Sequence, residues 1–185
     1  MYRAVTLKAM SMGVPLTDSR KLAAVAKNIR IRFGPRSTVF MDGKNVTKDI
    51  RTPELTKNVF YIAKEPLIRH QMVKKQRLLA KQGGAVMEGR DIGTVVFPKA
   101  DFKFYFDATP RLRAQRRLKE LVAAGKRASL EEVLREIEVR DKSDRERKEG
   151  ALRVAKGAHV LDTTGLTIEA TIDKMLAILG DAAGK

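Results

Sequence analysis

The spacing of apolar residues along the chain changes period several times, and each change marks an element. Met1 to Met12 is amphipathic at helical spacing but opens without a capping residue before Tyr2 and Arg3. Thr17 is placed to cap a second helix, with Leu22, Val25, Ala26 and Ile29 on one face. The period then shortens. Ile31–Phe33, Thr38–Met41 and Asn45–Thr47 read as short strands parted by Gly34-Pro35 and Asp42-Gly43, a small antiparallel insert. Thr52-Pro53 opens another helix, and Pro66 starts the next, with Ile68, Met72 and Leu79 inward. Ala85-Val86-Met87 is an apolar run after Gly-Gly, as a buried parallel strand would be.

Alternation returns at Asp101–Asp107, where Phe102, Phe104 and Phe106 predict a strand. Thr109-Pro110 caps a helix with Leu118, Leu121 and Val122 on its apolar side, and Gly125 ends it. Ser129 and Glu132 form a capping box for a helix whose core positions are Leu130, Val133, Leu134 and Ile137. His159–Asp162 is a strand and Thr163-Thr164-Gly165 a turn. The last helix carries Ile168, Ile172, Met175 and Leu179, with Gly180 as its stop. From Gly83 onward this order indicates an α/β domain.

Composition narrows the function classes. The 185 residues are 43% hydrophobic and 32% charged, with no cysteine and two histidines. Disulfides and thiolate metal sites are excluded, and a histidine metal site has too few ligands. No apolar run approaches the ~20 residues that span a bilayer, no signal peptide is visible, and a cytoplasmic location fits. The net charge is +16. Such a surface neutralises either nucleic acid or a smaller polyphosphate. Aromatics make up only 5% and tryptophan is absent, which argues against stacking platforms for single strands.

The arginines recur at helical spacings, which favours a focused site. Gly83–Pro98, GGAVMEGRDIGTVVFP, holds its centre. Ligands of open α/β sheets bind beyond the carboxyl ends of strands, where Arg90 and Asp91 are expected. An arginine there presents a fork of donors to phosphate, and an aspartate accepts from amino groups. Spacing alone favours a structural Arg90–Asp91 pair. Gly84-x-x-x-x-Gly89-Arg90 imitates a phosphate loop but lacks its lysine and hydroxyl, and no G-x-x-x-x-G-K-[ST] occurs in the chain. Arg140, Asp144 and Arg147 fall at i, i+4 and i+7, either an anion site with one acceptor or a solvated charged face. The helix with Arg111, Arg113, Arg116 and Arg117, joined to the next by a basic turn, has the form of a hinged flap.

Met1-Tyr2-Arg3-Ala4, Ile50-Arg51-Thr52, the run Gly89-Arg90-Asp91-Ile92-Gly93-Thr94-Val95-Val96-Phe97-Pro98, Arg140-Asp141 with Asp144 and Arg147, and Leu161-Asp162-Thr163-Thr164 together resemble the bacterial cytidylate kinases, of the nucleoside monophosphate kinase family. The resemblance covers nearly the whole chain. It implies a P-loop kinase-like parallel sheet with flanking helices, missing its first strands, plus a small antiparallel β insert. It groups 1–30 and 83–185 as a core domain with an arginine-rich flap at about 111–147, and 31–82 as a nucleoside monophosphate-binding insert. It implies transfer of the γ-phosphoryl of ATP, with Mg²⁺, to CMP or dCMP by a monomer. Arg69, Arg90 and Asp91 would hold cytosine and the α-phosphate, Arg140 and Asp144 the sugar, and Arg3 and Arg147 phosphate, with Tyr2 beside the substrate. Arg113, Arg116 and Arg117 would ride on the flap. Arg90, Arg116 and Arg147 are the expected catalytic cations, since phosphoryl transfer is mainly positioning and charge neutralisation.

The sequence departs from the family in two places. Phe60 and Tyr61 stand where relatives tend to carry a small hydroxyl residue near the base. The family precedes its Met-Tyr-Arg-Ala with a strand, a phosphate loop and a second strand, so the expected triphosphate cradle is absent from this chain and no metal ligand is assigned. The leading expectation is a cytidylate kinase whose start was placed at an internal methionine. The alternatives are a non-catalytic remnant or split half that binds CMP, and a basic nucleic-acid-binding protein.

Overall fold

The computed structural model describes residues 1–81 and 83–183. It is mixed α/β, with a parallel strand pair, a small antiparallel sheet and seven α-helices among the described residues. The chain divides into two compact units between Val86 and Met87. Gln82, Gly184 and Lys185, at which two of the expected domain ranges end, lie outside the described residues.

The first unit is built on helices α1 (Tyr2–Ser11), α2 (Ser19–Asn28), α3 (Pro53–Ala63) and α4 (Pro66–Ala80). Leu22, Ile29, Ile62, Ile68 and Met72 are fully enclosed in one cluster with Ala4, Val5, Ala9 and Ala26. Burying a side chain of this size stabilises by about 1.5–3 kcal/mol. α1 has no side-chain cap. Tertiary contacts hold it instead: Arg3 Nη1 donates to the Ile50 carbonyl and to Thr56 Oγ1, both at 2.9 Å. The expected cap of α2 moves by one residue, to Asp18, whose carboxylate accepts from Lys21 N at 3.0 Å. Thr52 caps α3 as expected. Leu79 is the exception on α4, since it faces solvent rather than the core.

Strands β1 (Ile31–Gly34), β2 (Thr38–Met41) and β3 (Lys44–Asn45) form the expected antiparallel insert. Asp42 (φ 50°) and Gly43 (φ 88°) make the tight β2–β3 turn that Asp-Gly predicts. Asp42 also anchors the insert. Its carboxylate accepts from the Arg30 backbone N–H at 2.9 Å and pairs with Lys8 Nζ at 3.1 Å. The Arg30 amide, then Lys8, hold this carboxyl below the usual aspartate range against the opposing effect of burial. Its contribution to stability is therefore complete above the unfolded value near 3.9 and fades as pH falls through the lower folded value. Asp42→Asn, which tolerates the same left-handed backbone, should melt below wild type at pH 7, with the gap closing below about pH 4. A gap that persists unchanged to pH 2.5 in a thermal melt would remove the ionic account.

The second unit pairs β4 (Phe104–Asp107) with β5 (His159–Asp162) in parallel, Phe104 opposite His159 and Asp107 opposite Asp162. Helices α5 (Pro110–Ala123) and α6 (Leu130–Glu146) pack on each other, and α7 (Ile168–Ala183) closes the chain. Both arms of the Ser129–Glu132 capping box form. Gly180 does not stop α7, which runs on to Ala183.

The strand expected at Ala85–Met87 does not form. The backbone from Gly84 to Glu88 is irregular, Val86 is wholly exposed, and no strand among the described residues pairs with it. An apolar run becomes a strand only when a neighbour takes its backbone hydrogen bonds. The chain then enters a π-helical turn at Ile92–Val96. The Asp91 carbonyl accepts from Val95 N (2.8 Å) and Val96 N (3.2 Å), and Ile92 O accepts from Phe97 N at 2.7 Å. Such turns are frequent at functional sites. Gly93 lets this turn lie against the chain before β5: a Cβ there would sit 3.0 Å from Ala155 Cβ.

Candidate functional site

In the second unit three of the predicted arginines converge on one predicted carboxylate. Asp144, on the last turn of α6, is buried at 4% exposure. Its Oδ2 accepts from Arg90 Nε at 2.9 Å, Oδ1 accepts from Arg147 Nη2, and Arg140 Nε lies 3.9 Å away. Helix geometry brings three of them together. Arg140 is one turn before Asp144, and the chain leaves the helix at Arg147 (φ −60°, ψ 132°), which folds that side chain back onto the helix end. Arg90 arrives from the loop ahead of the π-helical turn. The Arg90–Asp91 pair favoured by spacing is thus replaced by Arg90–Asp144, a contact between residues 54 apart in sequence.

The electrostatics follow from the count. Three guanidinium groups share one carboxylate, which leaves two positive charges in excess. The Arg147 side chain is 10% exposed, and its Nε is buried with no hydrogen-bond partner. Arg90 and Arg140 keep much of their side chains open to solvent. Although its side chain is largely exposed, Arg140 is drawn below its ordinary value, by desolvation first and then by Arg90 against the pull of Asp144 and Asp141. It remains cationic, as arginine does in proteins. A buried acceptor that orients several forks of donors toward solvent is suited to a phosphate-bearing ligand.

The flap arginines take other partners. Arg113 Nη2 donates to Asp141 at 2.7 Å and its Nε to the Ala108 carbonyl at 3.1 Å, tying α5 to α6. Arg116 donates to the Thr163 carbonyl (2.7 Å) and Thr163 Oγ1 (3.2 Å) after β5. Thr163 in turn donates through N and Oγ1 to Asp107 O, at 2.8 and 3.0 Å. Arg117 pairs with Glu120 on the surface of α5. Asp91 is buried at the start of the π-helical turn. Sequence reasoning assigned no role to Asp141 or Thr163. Both stood inside quoted motifs, Arg140-Asp141 and Leu161-Asp162-Thr163-Thr164, and that was their only signal.

In the first unit Arg69 is buried, at 3% exposure. Its Nη1 donates to the Ala63 carbonyl at the end of α3, at 3.0 Å, and its guanidinium lies 5.8 Å from the Tyr2 ring centre. Arg3 is turned to Ile50 and Thr56. Among the described residues no group of three or more His, Asp or Glu side chains could hold a metal ion. No helix of the described residues is long and apolar enough to cross a membrane.

Comparison with known proteins matches residues 1–180 to a family model described as cytidylate kinase. A cytidylate kinase of Limosilactobacillus reuteri (strain DSM 20016) is 44% identical over 183 residues, covering 97% of this chain and 80% of the relative. A cytidylate kinase of Desulfitobacterium hafniense (strain Y51) is 43% identical, covering 98% and 79%. One of Bacillus cytotoxicus (strain DSM 22905 / CIP 110041 / 391-98 / NVH 391-98) is 41% identical, covering 100% and 84%.

Proposed function

The chain belongs to the cytidylate kinase family, and we propose that it binds CMP or dCMP as the acceptor of the γ-phosphoryl of ATP, giving CDP or dCDP. It is a kinase, a nucleotide-binding transferase of pyrimidine metabolism. The observation that carries the reading is the arginine cluster on buried Asp144. Arg90 and Arg147, held by that carboxylate, neutralise phosphate charge, and Arg140 and Asp144 reach the sugar. Asp91 accepts from the cytosine amino group. Arg69 and Tyr2 contact the acceptor nucleotide, and Arg3 contacts phosphate. Arg116 is a catalytic cation, and Arg113, Arg116 and Arg117 belong to a flap over about 111–147. Residues 31–82 serve as the nucleotide-binding insert, and 1–30 with 83–185 as the core. A monomer in the cytoplasm completes the reading.

Mg²⁺ enters this proposal with ATP. The described residues offer no group of three or more histidines and carboxylates that would fit a protein-held ion. A second reading is that the chain binds CMP without turning it over. Calorimetry with CMP and a coupled CDP assay with ATP and Mg²⁺ test both. We expect saturable CMP binding and formation of CDP. Saturable binding without CDP formation would overturn the kinase reading in favour of the second. No heat with millimolar CMP would sink the acceptor-site assignment itself.

A further inference from the structure

The net charge is not shared evenly between the units. Residues 1–86 hold 18 lysines and arginines against five acidic residues, +13 of the chain's +16. A mononucleotide needs two or three cations, and the ones assigned to it do not explain this surplus. Much of it surrounds the antiparallel insert: Lys27, Arg30, Arg32, Arg36 and Lys44 are all exposed there.

The insert also carries a built platform. The register sets Arg32 opposite Phe40 and Phe40 opposite Asn45, so these three share one face of the sheet. The Arg32 guanidinium carbon lies 4.2 Å from the Phe40 ring centre. Gly34 is flush with the same ring, since a Cβ there would come within 3.1 Å of Phe40 Cε2. The Arg32 guanidinium thus rests over the ring while the residue stays exposed. A hollow of about 340 Å³ adjoins it, lined by Arg30, Ile31, Arg32, Phe40, Asp42 and Gly43. Asp42, the one acid in the hollow, is committed to the Arg30 amide and Lys8.

We propose that this face of the insert binds single-stranded nucleic acid, with a base stacked on the Arg32–Phe40 pair and the surrounding cations on the backbone phosphates. Arginine planes are stacking surfaces for unpaired bases, and a cationic groove with one such surface is the arrangement of sequence-tolerant single-strand binding. A duplex offers no free base to the platform, and an anionic membrane uses the charge but not the stack. The low aromatic content argued against such a surface. The fold answers this by concentrating the charge in one unit and giving an arginine the role of the missing aromatic. The platform lies within the proposed nucleotide-binding insert, 31–82, but none of the side chains named individually for the acceptor nucleotide takes part.

The test is fluorescence anisotropy of the 185-residue protein with a fluorescein-labelled twelve-nucleotide oligouridylate. Saturable binding is expected at 50 mM KCl. Engagement of about three phosphates would weaken it roughly 20-fold at 200 mM. Arg32→Gln should cost roughly tenfold, while Arg135→Gln, on α6 of the second unit, changes nothing. CMP calorimetry keeps the two readings apart, because Arg32→Gln should bind CMP as wild type does and excess CMP should not displace the oligonucleotide. Four outcomes would overturn the proposal: no saturable binding, equal binding by Arg32→Gln, equal affinity for a blunt twelve-base-pair duplex, or capture by phosphatidylserine vesicles without capture of the oligonucleotide. Circular dichroism of Arg32→Gln establishes that the variant is folded, and Gly34→Ala, which crowds the Phe40 ring, must weaken binding independently.

Discussion

Replacing Asp144 with alanine should lower the melting temperature by roughly 6–20 °C, whereas Arg140→Gln should lower it by only a few degrees. The contrast comes from burial. Asp144 is 4% exposed and is the shared partner of Arg90, Arg147 and Arg140. Without it Arg147 becomes a nearly buried cation with neither a carboxylate nor a partner for its Nε. Leaving one member of a buried ion pair uncompensated costs about 3–5 kcal/mol, and a domain of this length loses about 2–4 °C per kcal/mol. Arg140 is different: its side chain is 67% exposed and 3.9 Å from the carboxylate. Such a pair is worth at most about 1 kcal/mol. Asp144→Asn should fall between, since an amide keeps an acceptor and the shape but not the charge. CMP affinity should follow the same order, because Arg90 loses the group that aims it. Equal melting temperatures for Asp144→Ala and Arg140→Gln in a calorimetric scan would show that the cluster is a solvated face.

That cluster was half legible in the sequence. Arg140 and Asp144 share a helix and Arg147 immediately follows its last residue, so their spacing places them together without any knowledge of the fold. Arg90 was legible as a cation at the head of a loop but not as the partner of Asp144. Nothing local joins residues 90 and 144, and the adjacent Asp91 was the nearer candidate. The elements with strong local chemistry were equally readable: the Asp-Gly turn, the capping box at Ser129 and the proline starts of α3, α4 and α5 each fix backbone within a few residues. The failures share one cause. Ala85–Met87 has strand composition, but a strand is a relation between two segments, and no described strand supplies the second. Leu79 sits near the end of α4, at the right helical spacing, yet it stays 37% exposed. The charge asymmetry could have been counted from sequence, but only once the boundary between the units was known.

Arg69→Met should weaken CMP binding by about 10–100-fold while the protein stays folded. Loss of hydrogen bonds from a charged group costs about 1.5–3 kcal/mol, and each 1.4 kcal/mol is tenfold in affinity. The position is unusual for an arginine. At 3% exposure it is as buried as the apolar residues around it on α4. It satisfies the Ala63 carbonyl, one of the groups that the end of α3 leaves without a helical partner, and it faces the Tyr2 ring at the start of α1. Those contacts hold the guanidinium in one orientation, as a residue that must meet a phosphate with its fork already aimed would require. Methionine keeps the apolar stem in the core, so stability should fall by only about 1–3 kcal/mol, for the carbonyl left unpaired. Lysine restores charge without the planar fork and should recover only part of the affinity. Cytidine separates the two roles open to Arg69. If the contact is to phosphate, the Arg69→Met variant should lose the preference for CMP over cytidine that the wild type shows. If the melting temperature drops but the Kd for CMP, measured well below it, does not change, Arg69 is a clamp between α1, α3 and α4 and not a ligand for the nucleotide.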